Sequence, residues 1–168
     1  MSELGEAARR RRAAIGTAVF TLTVPGTVVV LLPWLLSGWR LAAGSPARVL
    51  GVLLILAALP VLVAFLVRFV REGIGTPAPI APTERLVVGG PFQRVRNPGY
   101  VAVIALVLGQ ALLFGSLTVA VYTLLVALGF HLFVVLYEEP TLRRRFGAEY
   151  EDYCRRVPRW IPLLGRRD

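Results

Sequence analysis

The sequence contains no lysine, a single cysteine and a single histidine. Cys154 has no second cysteine to pair with, which excludes an internal disulfide and a thiolate metal cluster, and no metal site is expected. The lack of lysine makes all 19 basic residues arginine, as in a GC-rich coding sequence. Charge is sparse: 17% of residues are charged against 56% hydrophobic, a balance suited to lipid more than to a water-facing globule. Residues 101–137 run for 37 positions with no formal charge. The glycine-rich strand–turn–helix of soluble nucleotide-binding folds is missing, so no Rossmann domain is expected.

What is present is apolar sequence in membrane-sized lengths. Residues 15–36 and 49–70 each give 22 mostly apolar positions, about 33 Å as helix against a hydrocarbon core of about 30 Å. The 101–137 stretch is too long for one crossing and suits two, hinged at Gly115-Ser116, with the first member starting near Pro98. The Arg9–Arg12 run leads into a full-length span and not into a short apolar region with a cleavage site, so no cleavable signal peptide is expected. Four arginines precede the first span, five lie between Arg68 and Arg96, and eight follow Glu139, leaving only Arg40 and Arg48 in the remaining connection. This division places both termini and the 71–97 loop on the cytoplasmic side, in what is expected to be a bacterial inner membrane. The arginines are accounted for by topology and anionic lipid, and no nucleic-acid partner is expected.

The fold expected is all-α: about four transmembrane helices, a cytoplasmic loop and an interfacial C-terminal helix. Residues 1–168 make one domain, with two scaffold spans in 1–72. Pro77, Pro79 and Pro82 impose an extended path on the loop, Leu86-Val87-Val88 is expected to be strand-like, and Gly89-Gly90-Pro91 to turn tightly. In the tail, Pro140 is expected to end or kink the last span at Glu139 and to open a new helix. Leu142, Phe146, Tyr150, Tyr153 and Val157 then recur at spacings of 4, 4, 3 and 4, an apolar stripe flanked by arginines and suited to the membrane interface.

Three places carry candidate chemistry. Glu138 and Glu139 close the uncharged stretch, where burying carboxylates is costly and a helix C-terminus opposes negative charge. Arg143 to Arg145 could compensate them, or one glutamate could receive a cationic ligand. His131 stands seven residues earlier, on the same helix face as Glu138. It either bonds a neighbouring helix or meets a substrate carboxylate or proton. Asn97 is placed to cap a helix beginning at Pro98, whose free N–H groups could equally meet an anion.

Three segments together resemble the membrane-embedded isoprenylcysteine carboxyl methyltransferases and their bacterial relatives. They are Gly75-Thr76-Pro77-Ala78-Pro79, LVVGGPFQRVRNPGY (86–100) and EEPTLRRRFGAEYEDYCRRVPRWIP (138–162). The resemblance covers residues 73–162 and implies S-adenosylmethionine as methyl donor. It implies that Glu84, Arg85, Leu86 and Val87 wrap this cofactor through backbone, and that Phe92, Asn97, Pro98, Gly99 and Tyr100 contact it. Glu138 would take its ammonium group, while His131 and Glu139 are the candidate catalytic residues. Two positions depart from the pattern: Asn97 stands where the family often has histidine, and Val134 where the eukaryotic enzymes hold the substrate carboxylate with arginine. His131 is the nearest group to take over that role. The expected activity is methyl transfer to a lipophilic carboxylate or amine. The alternatives are a phospholipid N-methyltransferase, an NADPH-dependent sterol-type reductase and a non-catalytic membrane subunit.

Overall fold

The computed structural model describes Arg11 and residues 15–16, 18–19, 21–41, 47–72 and 86–162, which are mostly helical with no strand among them. Helix α1 covers Thr21–Ser37, α2 Ala47–Glu72, α3 Pro98–Phe114, α4 Leu117–Phe146 and α5 Ala148–Arg156. Two of these, over Ala47–Arg68 and Leu117–Phe146, are long and apolar enough to cross a membrane. Only 17% of the apolar window in each is buried inside the protein, so most of that apolar surface faces outward. The apolar α1 and α3 are shorter.

The hinge expected at Gly115-Ser116 is present. Gly115 closes α3 in the left-handed region at φ +62, and the Ser116 hydroxyl accepts from Val119 N to cap α4. Helix α3 lies at the centre. Its Ala102, Val103 and Leu106 are buried with Ala58 and Leu62 of α2, and its Val107 and Ala111 with Val119 of α4. Close approach of α2 and α3 depends on glycine: a Cβ on Gly51 would stand 2.6 Å from the Gly109 carbonyl oxygen and 2.7 Å from Leu113 N.

Two prolines produce the same irregularity. Pro33 offers no N–H to the Val29 carbonyl and crowds it. The preceding turn widens to a π-turn over Gly26–Leu31, in which Leu32 N–H donates to Thr27 O. The carbonyls thereby released are met from other helices: Gln110 Nε2 donates to Val29 O at 2.8 Å, and the Tyr122 hydroxyl to Val28 O at 3.1 Å. Pro140 follows a second π-turn, Val134–Glu138, in which Glu139 N–H donates to Val134 O.

Three expectations need correction. Of the two outcomes expected at Glu139, an end or a kink, the regular α-helix gives way to the π-turn, and a new α-helical stretch, Glu139–Phe146, opens with Pro140 in its first turn. The chain stays helical throughout, so only the idea of a full stop needs correction. Glu138 is therefore inside a helix and not at its C-terminus. Leu86-Val87-Val88 is not a strand, since three residues without a neighbouring strand have no ladder to join. The tail stripe is split at Gly147, at φ +51, and its apolar side is covered by protein: Tyr150, Tyr153 and Val157 are buried with Leu86 and Phe92 of the loop.

Gly51→Ala should destabilise the fold by roughly 1–3 kcal/mol, because the new methyl meets backbone that cannot turn aside. Gly129→Ala is the control, having nothing within 4 Å of its Cβ position. Thermal unfolding in detergent should show a clear drop for the first and none for the second; equal melting temperatures would remove the packing role from Gly51.

Candidate functional site

A cluster of charged and polar side chains converges where the end of α4, the start of α3 and the tail meet. Glu139 is 2% exposed. Its Oε1 accepts from Arg96 Nη1 at 3.0 Å and from Arg159 Nε at 2.6 Å, and its Oε2 from Arg159 Nη2 at 2.9 Å. Arg143, one turn further along the helix, adds an ion pair at 3.3 Å. The Arg159 contact is bidentate, the strongest geometry for a guanidinium and a carboxylate, and it holds the Arg159 guanidinium above its ordinary pKa. Arg96 comes from the segment preceding α3 and Arg159 from the tail, so one carboxylate ties together three parts of the chain.

The tail is fixed at further points. Arg96 N donates to Pro158 O at 2.9 Å, and Asn97 Nδ2 to Arg159 O at 3.1 Å. Asn97 occupies the N-cap position of α3, but its side chain makes no cap bond because the tail has taken it. Tyr153 donates to the Phe92 carbonyl at 2.7 Å. Burial raises the phenols of Tyr150 and Tyr153 above their ordinary values, so both stay protonated as donors at neutral pH. Arg96 Nη1 also reaches Cys154 Sγ at 2.8 Å.

Glu138 points elsewhere. Its Oε2 accepts from the Tyr100 hydroxyl at 3.0 Å, and among the described residues no cation pairs with it. Tyr100 lies between aromatic rings of α4, 4.6 Å from the Phe130 centroid and 6.5 Å from that of Phe133. Of the three arginines set against the glutamates by sequence, Arg143 pairs with Glu139 and with Glu151 at 2.8 Å, while Arg144 donates to Thr141.

The expected site residues thus fall into groups. Tyr100 and Glu138 are joined directly. Leu86 and Phe92 pack on the tail helix, Asn97 and Pro98 are buried, and Gly99 admits the Phe65 ring, which would lie 2.9 Å from a Cβ there. Val87 is half-buried coil, and Glu84 and Arg85 lie outside the described residues. His131 is exposed on α4 and meets neither glutamate; its partner is Trp160, whose Nε1 donates to Nδ1 at 3.2 Å. Arg96, Arg159 and Trp160 were not singled out from sequence. Their partners are 43, 20 and 29 positions away, beyond any local spacing rule.

The family model described as phospholipid methyltransferase matches residues 39–149. Two curated relatives, each named "Probable protein-S-isoprenylcysteine O-methyltransferase", come from Oryza sativa subsp. indica and Oryza sativa subsp. japonica. Each is 33% identical over 82 residues, which is 48% of this chain and 42% of the relative. The chain therefore spans less than half the length of these relatives. No solved structure matches it.

Glu139→Gln should cost about 3 kcal/mol, since it leaves Arg96 without a counter-charge in a largely buried place. Combining it with Arg96→Gln should recover about 1–3 kcal/mol of that loss, as expected for groups in one network. A double-mutant cycle on thermal unfolding measures the coupling; strict additivity would mean that the two side chains do not interact.

Proposed function

The chain belongs to the phospholipid methyltransferase family, and on that footing we propose that it is an integral membrane enzyme moving a methyl group from S-adenosylmethionine to a lipophilic acceptor at the cytoplasmic membrane face. The observation that carries the reading is the contrast between neighbouring carboxylates. Glu139 is answered by three guanidinium groups, whereas Glu138 has a phenol hydroxyl and no cation among the described residues. A carboxylate kept without a counter-ion at a membrane boundary is suited to a cationic ligand.

Glu138 would hold the ammonium group of the donor, and Tyr100 would fix the direction of that carboxylate. Leu86, Val87, Phe92, Asn97, Pro98 and Gly99, with Glu84 and Arg85, would form the surrounding wall. When bound, the cofactor supplies an electrophilic methyl carbon on a sulfonium. The protein's share is to orient the acceptor in line with that carbon and to exclude water. A carboxylate acceptor needs no general base at neutral pH, which agrees with the scarcity of titratable side chains. Glu139 acts through its neighbours, holding loop, helix and tail in register. His131 belongs to the acceptor side. The description of the matching family model also supports a second reading, in which the acceptor is a phospholipid amine.

The four-span arrangement rests on α1 and α3 crossing together with α2 and α4. Each has 17 residues in Thr21–Ser37 and Pro98–Phe114, about 26 Å of helix, slightly short of a typical core. Reporter fusions at the C-terminus and within residues 40–46 should report cytoplasmic and external positions respectively; an external C-terminus would overturn the arrangement.

Glu138→Gln should weaken S-adenosylmethionine binding tenfold or more, at least about 1.4 kcal/mol. Calorimetry on the detergent-solubilised chain checks it, and unchanged affinity in a folded variant would remove Glu138 from the cofactor site. Binding of NADPH with no binding of S-adenosylhomocysteine would favour the reductase alternative and end the methyltransferase reading.

A further inference from the structure

His131 stands on an outward-facing side of α4, near the exposed Leu124, Leu128 and Leu132. An imidazole there is costly unless both nitrogens find partners. Nδ1 has one, the indole N–H of Trp160 at 3.2 Å, with the two rings 6.0 Å apart. Nε2 has none among the described residues. An indole N–H can only donate, so Nδ1 must be the accepting nitrogen, and in a neutral ring the proton then resides on Nε2. Trp160 does not reach this position by chance. The residue before it, Arg159, is fixed at its side chain by Glu139 and at its carbonyl by Asn97.

We infer that Trp160 is a positioning residue that locks His131 in the Nε2–H tautomer, so that His131 serves as a hydrogen-bond donor to an anionic oxygen of a membrane lipid and not as a base. The inference rests on the methyltransferase reading only for the use to which this donor is put. A base would need a lone pair on the outward nitrogen, and the Trp160 bond removes it. A donor at that place suits a carboxylate or a phosphate oxygen, either of which is carried by anionic amphiphiles.

His131 is the only histidine, so nitrogen-15 histidine labelling of the untagged chain gives a spectrum of this one ring. In uncharged maltoside micelles at mildly alkaline pH, the two-bond proton–nitrogen pattern should be that of a single Nε2–H tautomer. Trp160→Phe, which keeps a ring and loses the N–H, should give a mixture of tautomers and lower kcat/KM at least fivefold. A Nδ1–H pattern in the unmodified chain, or an unchanged pattern in Trp160→Phe, would overturn the inference. Doping the micelles with oleate or with phosphatidylglycerol separates the two sources of oxygen: a shift of the Nε2 resonance with the first assigns a carboxylate, and with the second a phosphate. No shift with either overturns the donor role. Calorimetry with S-adenosylhomocysteine on the same samples keeps the two ideas apart, because absent binding would end the methyltransferase reading while leaving the tautomer result intact.

Discussion

The end of this molecule where α3, α4 and the tail meet is organised around one buried carboxylate. Glu139 could not be kept charged at 2% exposure without partners, since an uncompensated buried ion costs several kcal/mol. Its partners arrive from three segments: Arg96 before α3, Arg143 on its own helix and Arg159 in the tail. The apolar cluster of Tyr150, Tyr153 and Val157 with Leu86 and Phe92 joins the same loop and tail, and the ion network adds directional contacts to that burial. It is satisfied only when all three are docked together, which makes the arrangement cooperative. At the other end of the bundle the means are different. There Gly51 and Gly109 let α2 and α3 touch backbone to backbone, the mode of association available where lipid offers no hydrophobic driving force between helices.

Between these ends, two prolines act through the same backbone device and with different results. At Pro33 the π-turn releases carbonyls that Gln110 and Tyr122 collect, which ties α1 to the helical hairpin by side-chain donors. At Pro140 the π-turn lies just ahead of Glu139, so that helix continues across the proline while its winding changes locally. Consecutive residues on a helix point about 100° apart, and here the two glutamates are sent to separate partners. Glu138 turns to Tyr100 of α3, while Glu139 turns to the arginines.

Much of the scaffold was legible because its signals are local. Apolar length marked the helices, and Gly115-Ser116 marked the hinge through a left-handed glycine and a capping hydroxyl. The tail stripe was visible as spacing, but its direction was not. Periodicity says that Tyr150, Tyr153 and Val157 share a face; it does not say whether lipid or the Leu86 and Phe92 loop covers it. Pro140 was legible as the place where the regular helix breaks and a new one opens, but not as a break that leaves the chain helical. The rule that proline disfavours helix before it holds for regular α-turns, and a π-turn relaxes it. Asn97 had the right position for a cap, yet its side chain went to Arg159 O, a partner 62 residues away. Electrostatic reasoning singled out the pair of glutamates and the need for a compensating cation, which Glu139 has. It could not divide them, because the division depends on Arg96 and Arg159, which only the tertiary fold brings near.

That division links Glu139 to His131 through the tail. Arg159 and Trp160 are adjacent in the tail, and they serve different neighbourhoods: the first holds Glu139, next in sequence to Glu138, and the second holds His131. Two adjacent residues can differ in position by no more than about 3.8 Å between their Cα atoms. A displacement of one is therefore transmitted to the other. Anything that loosens the Glu139 network, whether loss of Arg96 or movement of the loop on which it sits, also loosens Trp160 and with it the orientation of the imidazole. The Trp160–His131 contact thus rests on the same buried carboxylate that anchors Arg159, and among the described residues His131 makes no direct contact with either glutamate. The connection runs through the tail.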